Sequence, residues 1–341
     1  MVTWEAYQGS SGGEQWDRWL LRSEDRNVFQ SFAWGEYKRA SGWEPQRWIL
    51  RDERGTVIAM AQILTKTFLP GVIVGWASGG PVFRFPQARL SNFPSVLEGL
   101  LQCYRSAGRV AWVRFQSQAP RDEEITSAFR QACERPIIPL TSGHSLRIEL
   151  DQPFEDVVKG MRAKHRYYVR KSLEEKIDWR IANDGHAVCA LSGLFEEMVR
   201  RKQLSALTTH ARDLAGLCAV LKDHAFILSG TVGGEPVAAC LVLTFGGRAF
   251  YLKAAAGQKG RELSASYAMI HRLLEYLREQ GVAQLDFGGI DPRSPGAEGV
   301  NHFKRGFGGI PVEYLGEWEW ASSQWLRWGI NLVVCRRSGF V

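Results

Sequence analysis

The chain of 341 residues is poor in the groups that metal and disulfide chemistry use. It has six cysteines, Cys103, Cys133, Cys189, Cys218, Cys240 and Cys335, and no two of them form a C-x-x-C pair. Unpaired thiols at irregular spacing argue against a disulfide scaffold or a structural zinc module, and they suit a reducing compartment. No apolar run approaches the ~20 residues of a membrane span. The start, "MVTWEAYQGSSGGEQW", lacks a basic stretch followed by an apolar one, so a signal peptide is not expected and the reading is cytoplasmic. No H-E-x-x-H pair occurs and no serine-nucleophile elbow is read, which leaves metalloprotease and serine-hydrolase chemistry without support. The seven histidines are scattered. His165 and His302, though inside notable motifs, read as incidental rather than as bases.

The composition that remains is 45% hydrophobic and 23% charged, with a formal charge of +7. That is ordinary for a globular chain of roughly two domains. The positive excess favours anionic partners such as phosphates, nucleic acid or an acidic membrane face.

The order of elements occurs twice. In the first half, helix signals at "GGEQWDRWLLRS" and "VFQSFAWGEYKRASG" precede alternating residues around the turn Arg54-Gly55, a strand "VIVGWASGGPVF", then helix and strand in "FPSVLEGLLQCYRSAGRVAWVRF". In the second half, "HAFILSGTVGGEPVAACLVLTFGGRAFYLKAAAG" and "SASYAMIHRLLEYLREQGVAQLDFGGID" repeat that order. Ala59 against Ala238 and Gly108 against Gly281 stand at nearly the same separation, which reads as a duplication of a mixed α/β unit. Prolines and a Ser-Gly pair in "CERPIIPLTSGHSLRIEL" mark the junction. The expected domains are 1–143, completed by 318–341, and 144–317.

Two stretches carry the chemistry. In "PFEDVVKGMRAKHRYYVRKSLEEKIDWRI" the cations Lys159, Arg162, Lys164, Arg166, Arg170 and Lys171 crowd one predicted helix. Arg162, Arg166 and Arg170 fall at i, i+4, i+8, on one face. Like charges at that spacing destabilise a helix by a few tenths of a kcal/mol, so the row either is solvated or meets an anion such as a diphosphate or an RNA backbone. In "GVNHFKRGFGG", residues 299–309, glycines flank Phe303 and Lys304. This reads either as a surface loop with a solvated lysine or as a segment whose backbone approaches a ligand.

Taken in order, "VFQSFAWGEYKRASGW", "GGPVF", "MRAKHRYYVRKS", "GEPVAACLVL…FYLKAAAG", "LDFGGIDP" and "GVNHFKRGFGG" resemble the Fem family of aminoacyl-tRNA-dependent peptidyltransferases, over roughly residues 27–318. The resemblance implies an α/β fold of two tandem GCN5-related acetyltransferase-like domains. No long heptad segment is present, so it implies a short form without a coiled-coil arm. It implies transfer of an amino acid from aminoacyl-tRNA to an amine, usually on the stem peptide of a peptidoglycan precursor, with no cofactor or metal. Lys38 and Arg166 match positions near the diphosphate of the precursor. Lys164 and Arg170 stand beside that helix arginine. Phe303 and Lys304 match a pair near the reacting ester, Tyr251 matches a tyrosine lining the second-domain cleft, and Asp286 is read as orienting a loop. Arg84 departs from the pattern, standing where an acidic residue is common.

An activated ester needs a positioned cation for the oxyanion more than it needs a strong base, and Lys304 is the candidate. A rival reading is an acyl-CoA-dependent N-acyltransferase, but "QKGRELSAS" lacks the glycine-rich pyrophosphate loop that chemistry uses. A third is a non-catalytic RNA- or membrane-associated scaffold. A monomer is expected. The apolar end, "SQWLRWGINLVVCRR", is expected to complete the first domain, with at most transient contact with an anionic inner membrane face.

Overall fold

The chain folds into two units, Met1–Gly143 with Glu313–Val341, and His144–Val312. The computed structural model describes residues 3–9, 13–86, 92–107, 110–203 and 211–338. The Gly108 read as a helix stop lies outside them.

In the first unit the strands β1 (Trp4–Ala6), β2 (Glu44–Arg51), β3 (Val57–Leu69), β4 (Val72–Gly79), β5 (Val110–Pro120) and β12 (Ile310–Ala321) follow that spatial order. The neighbours are antiparallel from β1 to β4, β4 and β5 are parallel, and β5 and β12 are antiparallel. Gly55, at φ 78°, makes the β2–β3 turn. That left-handed backbone carries little cost without a Cβ. The helices are α1 (Glu14–Leu20), α2 (Phe32–Ala40), α3 (Phe93–Ala107) and α4 (Glu123–Ala132). Ser31 caps α2 by accepting from the Trp34 N–H, as a serine before an apolar run should. Ala59, Ile63, Leu100, Phe115 and Phe129 lie in the core.

The second unit holds β6 (His144–Glu149), α5 (Phe154–Lys159), α6 (Ala163–Glu174), β7 (Asp178–Ala182), α7 (Gly185–Lys202), α8 (Ala211–Leu221), β8 (Ala225–Val232), β9 (Glu235–Phe245), β10 (Arg248–Ala256), α9 (Gln258–Glu262), α10 (Ala265–Glu279), β11 (Gln284–Gly289) and α11 (Glu298–Gly306). Its sheet runs β7-β8-β9-β10-β11-β6. The β10–β11 pair is parallel and every other neighbour is antiparallel. The two sheets therefore repeat one pattern of pairings, with β4→α3→β5 and β10→α10→β11 as matching crossovers. Val237, Cys240, Leu273, Leu285 and Phe287 form the second core.

Three local expectations change. The basic stretch 154–174 is two helices: α5 ends before Gly160, and Arg162 is the extended N-cap of α6 at φ −61°, ψ 147°. A tertiary bond holds the break, from the Arg162 N–H to the Gly306 carbonyl. Arg162 is thus off the helical row, and only Arg166 and Arg170 remain on it. The glycine-rich stretch 299–309 is mostly helix, α11, followed by Gly308 and Gly309 at φ 84° and 91°. The segment between β10 and α10 contains α9.

The apolar end forms α12 (Gln324–Ser338), within the first unit. It is held by a polar network and an apolar cluster. Buried Glu319 accepts from Arg114 at 3.1 Å, Arg327 at 2.7 Å and Asn331 at 2.9 Å, while Ile330 packs with Val74 and Trp112. Trp325, Trp328 and Leu332 face outward, 87%, 59% and 54% exposed. Among the described residues, no helix is long and apolar enough to cross a membrane.

Candidate functional site

The site lies in the second unit, where α11 crosses the end of β11. The Lys304 Nζ donates to the Gly289 carbonyl at 2.9 Å and stands 5.8 Å from the Phe287 ring centroid. Asp286 is two residues earlier on β11, and its Oδ1 accepts from the Ser145 hydroxyl and from the Gly288 N–H at 2.9 Å. Gly288 has φ 76°, and a Cβ there would stand 3.0 Å from the Tyr251 carbonyl and 3.4 Å from Nζ. The Gly288 of the motif is therefore favoured by its backbone angle and by its close approach to the Tyr251 carbonyl.

Lys304 is half-buried, and burial pushes its ammonium down to about 8, opposed in part by the charge of Asp286. Such a group is a cation at neutral pH that gives up its proton only slightly above it. It offers a positioned positive charge and a proton to an oxygen that becomes anionic.

The glycines of 299–309 serve packing. His165 is buried against Gly306, where a Cβ would overlap the imidazole at 1.9 Å. Its Nε2 is 3.0 Å from the Phe303 carbonyl. A carbonyl only accepts, so Nε2 carries the proton. Burial lowers the tendency of His165 to take a second one, and the bond to Phe303 resists that in part. Phe303 packs on Tyr267 and Phe307, with ring centroids 5.3 and 5.0 Å away. His165 and Gly306 thus clamp the turn of α11 that carries Phe303 and Lys304. Sequence inspection treated His165 as incidental, and its position opposite a small residue on another helix is not visible from spacing.

The other candidates are placed as follows. Tyr251 is buried in the core against Phe287, at 5.0 Å between rings, and burial raises its hydroxyl well above the usual range. Arg166 Nη1 donates to the carbonyls of Lys159 and Met161, closing the C-terminal end of α5. Lys164 and Arg170 are exposed, and the Lys164 ammonium is 6.0 Å from the Tyr168 centroid. Lys38 lies in the first unit on α2, with its ammonium 4.9 Å from the Trp34 and 5.0 Å from the Tyr37 centroids. Arg84 pairs with Asp122, the N-cap of α4, at 3.1 Å, which gives this departure from the family pattern a structural use. Among the described residues, no group of three or more His, Cys, Asp or Glu side chains could hold a metal ion.

Residues 224–333, which include β11 and α11 with Asp286, Phe303 and Lys304, match the FemAB family. The Fem-like fold extends beyond that segment. The structure of FemX superposes with a TM-score of 0.81 at 16% identity, covering 96% of this chain and 100% of that one. A tandem GNAT protein from the clavulanic acid biosynthesis pathway gives 0.56 at 12% identity, covering 95% and 99%. L-PGS from Bacillus licheniformis gives 0.54 at 15% identity, covering 87% and 90%. At these identities the likeness is one of fold: a mixed α/β chain of tandem acetyltransferase-like units. No curated protein matches the sequence.

Proposed function

We propose that the protein is an aminoacyltransferase that moves an amino acid from aminoacyl-tRNA to an amine acceptor, with the stem peptide of a peptidoglycan precursor as the acceptor. The observation that carries this reading is Lys304, a half-buried cation of lowered proton affinity fixed between α11 and the Gly288–Gly289 turn. It lies inside the FemAB-matching segment.

The chemistry follows from the ester. An amine attacks the ester carbonyl, a tetrahedral oxyanion forms, and the ribose oxygen departs. The ester is already activated, so the enzyme contributes mainly alignment and stabilisation of that oxyanion. Lys304 supplies the charge, and its depressed proton affinity suits donation to the departing ribose oxygen. Phe303, packed on Tyr267 and Phe307, sets the floor beside it. Lys38 and Arg166 would bind the phosphates of the acceptor.

An acyl-CoA donor fits less well. The residues before α10 form the short helix α9 rather than a glycine-rich loop that could cradle its pyrophosphate. The test is direct: incubate the protein with a charged total tRNA pool and candidate precursors, and look for aminoacyl mass additions. Acylation from acetyl-CoA with none from tRNA would overturn the proposal.

A further inference from the structure

Beside the Lys304 site, on a different flank of α11, an open cavity of ≈510 Å³ is lined by Arg162, Arg293, Ser294, Glu298, His302 and Arg305. Glu298, His302 and Arg305 fall at i, i+4 and i+7 of α11, so they share one face. Arg162 comes from the N-cap of α6, and Arg293 from the turn after β11.

The charges there lack partners. Several surface arginines elsewhere in the chain are paired: Arg39 with Glu36 and Glu44, Arg121 with Glu313, Arg180 with Asp184, Arg272 with Glu275. Among the described residues, the guanidiniums of Arg162, Arg293 and Arg305 have neither an ion pair nor a side-chain hydrogen bond. Converging cations repel unless an anion joins them. One helix start reinforces the sign: α6, after Arg162, begins with no side-chain cap, leaving first-turn N–H groups unclaimed by side chains. Forked guanidiniums with free N–H groups suit phosphate oxygens.

We propose that this cavity binds a backbone phosphate of the donor RNA near its 3′ end, which rests on the donor assignment made above. The choice of RNA over a free diphosphate follows from α11. Arg305 is adjacent to Lys304, about 100° round the helix, so a phosphate held here is about a nucleotide's reach from the reacting ester. A strand bound on that flank leaves the Lys304 flank for the aminoacyl group.

The test uses the full chain, deacylated total tRNA and, separately, uridine diphosphate as probes. The double variant R293Q/R305Q is compared with R200Q/R201Q, which removes the same charge from the exposed end of α7. Both are checked by thermal melting. The expected result is at least ~10-fold weaker tRNA binding for R293Q/R305Q, with the slope of log affinity on log salt lowered by about 1.5. Binding of uridine diphosphate should be unchanged, and R200Q/R201Q should be near wild type. Unchanged tRNA affinity and slope would overturn the site, as would equal losses in both variants. Loss of uridine diphosphate binding with tRNA binding intact would reassign the cavity to the acceptor. If the wild-type protein binds no tRNA, the site and the donor assignment both fall. Wild-type binding that the variant retains removes the cavity alone.

Discussion

The Lys304 ammonium donates to the Gly289 carbonyl across 2.9 Å, joining α11 to the end of β11 next to Asp286. One lysine is thereby taken from bulk solvent and kept within reach of a glycine turn too tight for another residue at Gly288.

Replacing Lys304 by alanine should lower kcat and kcat/KM together by about 10²–10³, the usual effect of losing one oxyanion contact, or ~2.7–4 kcal/mol. The Lys304→Met variant should melt no lower than the wild type, because burial disfavours the ammonium. Steady-state kinetics beside calorimetry check both. Near-normal turnover would remove Lys304 from the mechanism.

The pH dependence has a definite sign. Burial places the Lys304 ammonium at about 8, and the charged form is the one the reaction uses. Activity should therefore be full below that value and fall as pH rises through it. Asp286 raises the value, so Asp286→Asn should move the falling limb to lower pH. A kcat/KM profile that instead climbs through pH 8 would mean that Lys304 acts as a base.

Gly306→Ala should destabilise the protein by ~1–3 kcal/mol, the typical cost of overpacking, because its Cβ would enter the His165 ring. Turnover should fall further than stability, since the same contact positions Phe303 and Lys304. Denaturant melts and single-turnover rates separate the two effects.

Glu319→Gln should cost about 1.5–3 kcal/mol, since it removes the carboxylate that Arg114 and Arg327 share and leaves them only Glu317 and Glu134. Trp325→Ser, at a position 87% exposed, should change melting by less than ~0.5 kcal/mol. Equal effects of the two changes would contradict the way α12 is docked.

Lys38→Ala should weaken binding of a diphosphate-bearing acceptor by ~1.5–3 kcal/mol and change stability by no more than the ~0.5–1 kcal/mol of an exposed cation–ring contact. Arg166→Ala should weaken the acceptor and also lower the melting temperature, because Arg166 closes the end of α5. Isothermal titration with a nucleotide precursor, set beside melting curves, distinguishes them.

Much was legible along the chain because it is local. The alternation around Arg54-Gly55, the helix signal in "VFQSFAWGEYKRASG" and the matched positions Ala59 and Ala238 report strand, helix and repeated order through periods of 2 and 3.6 and through turn chemistry. The motif order identified the Fem resemblance and singled out Lys304 and Asp286. What the chain alone left undecided depends on contacts between segments far apart in sequence. Position 162 leaves the helix because its N–H bonds to Gly306, across more than a hundred residues. Residues 299–309 are a helix despite their glycines, since His165 needs Gly306 small and Gly308 and Gly309 turn the chain into β12. Trp325, Trp328 and Leu332 of α12 point outward because a buried carboxylate, Glu319, holds Arg327 and Asn331 inward. The lowered proton affinity of Lys304 is likewise a property of its burial, opposed in part by Asp286, which no spacing encodes. Propensity and pattern act within a few residues, whereas desolvation and close packing are set by whichever distant segments the fold brings together.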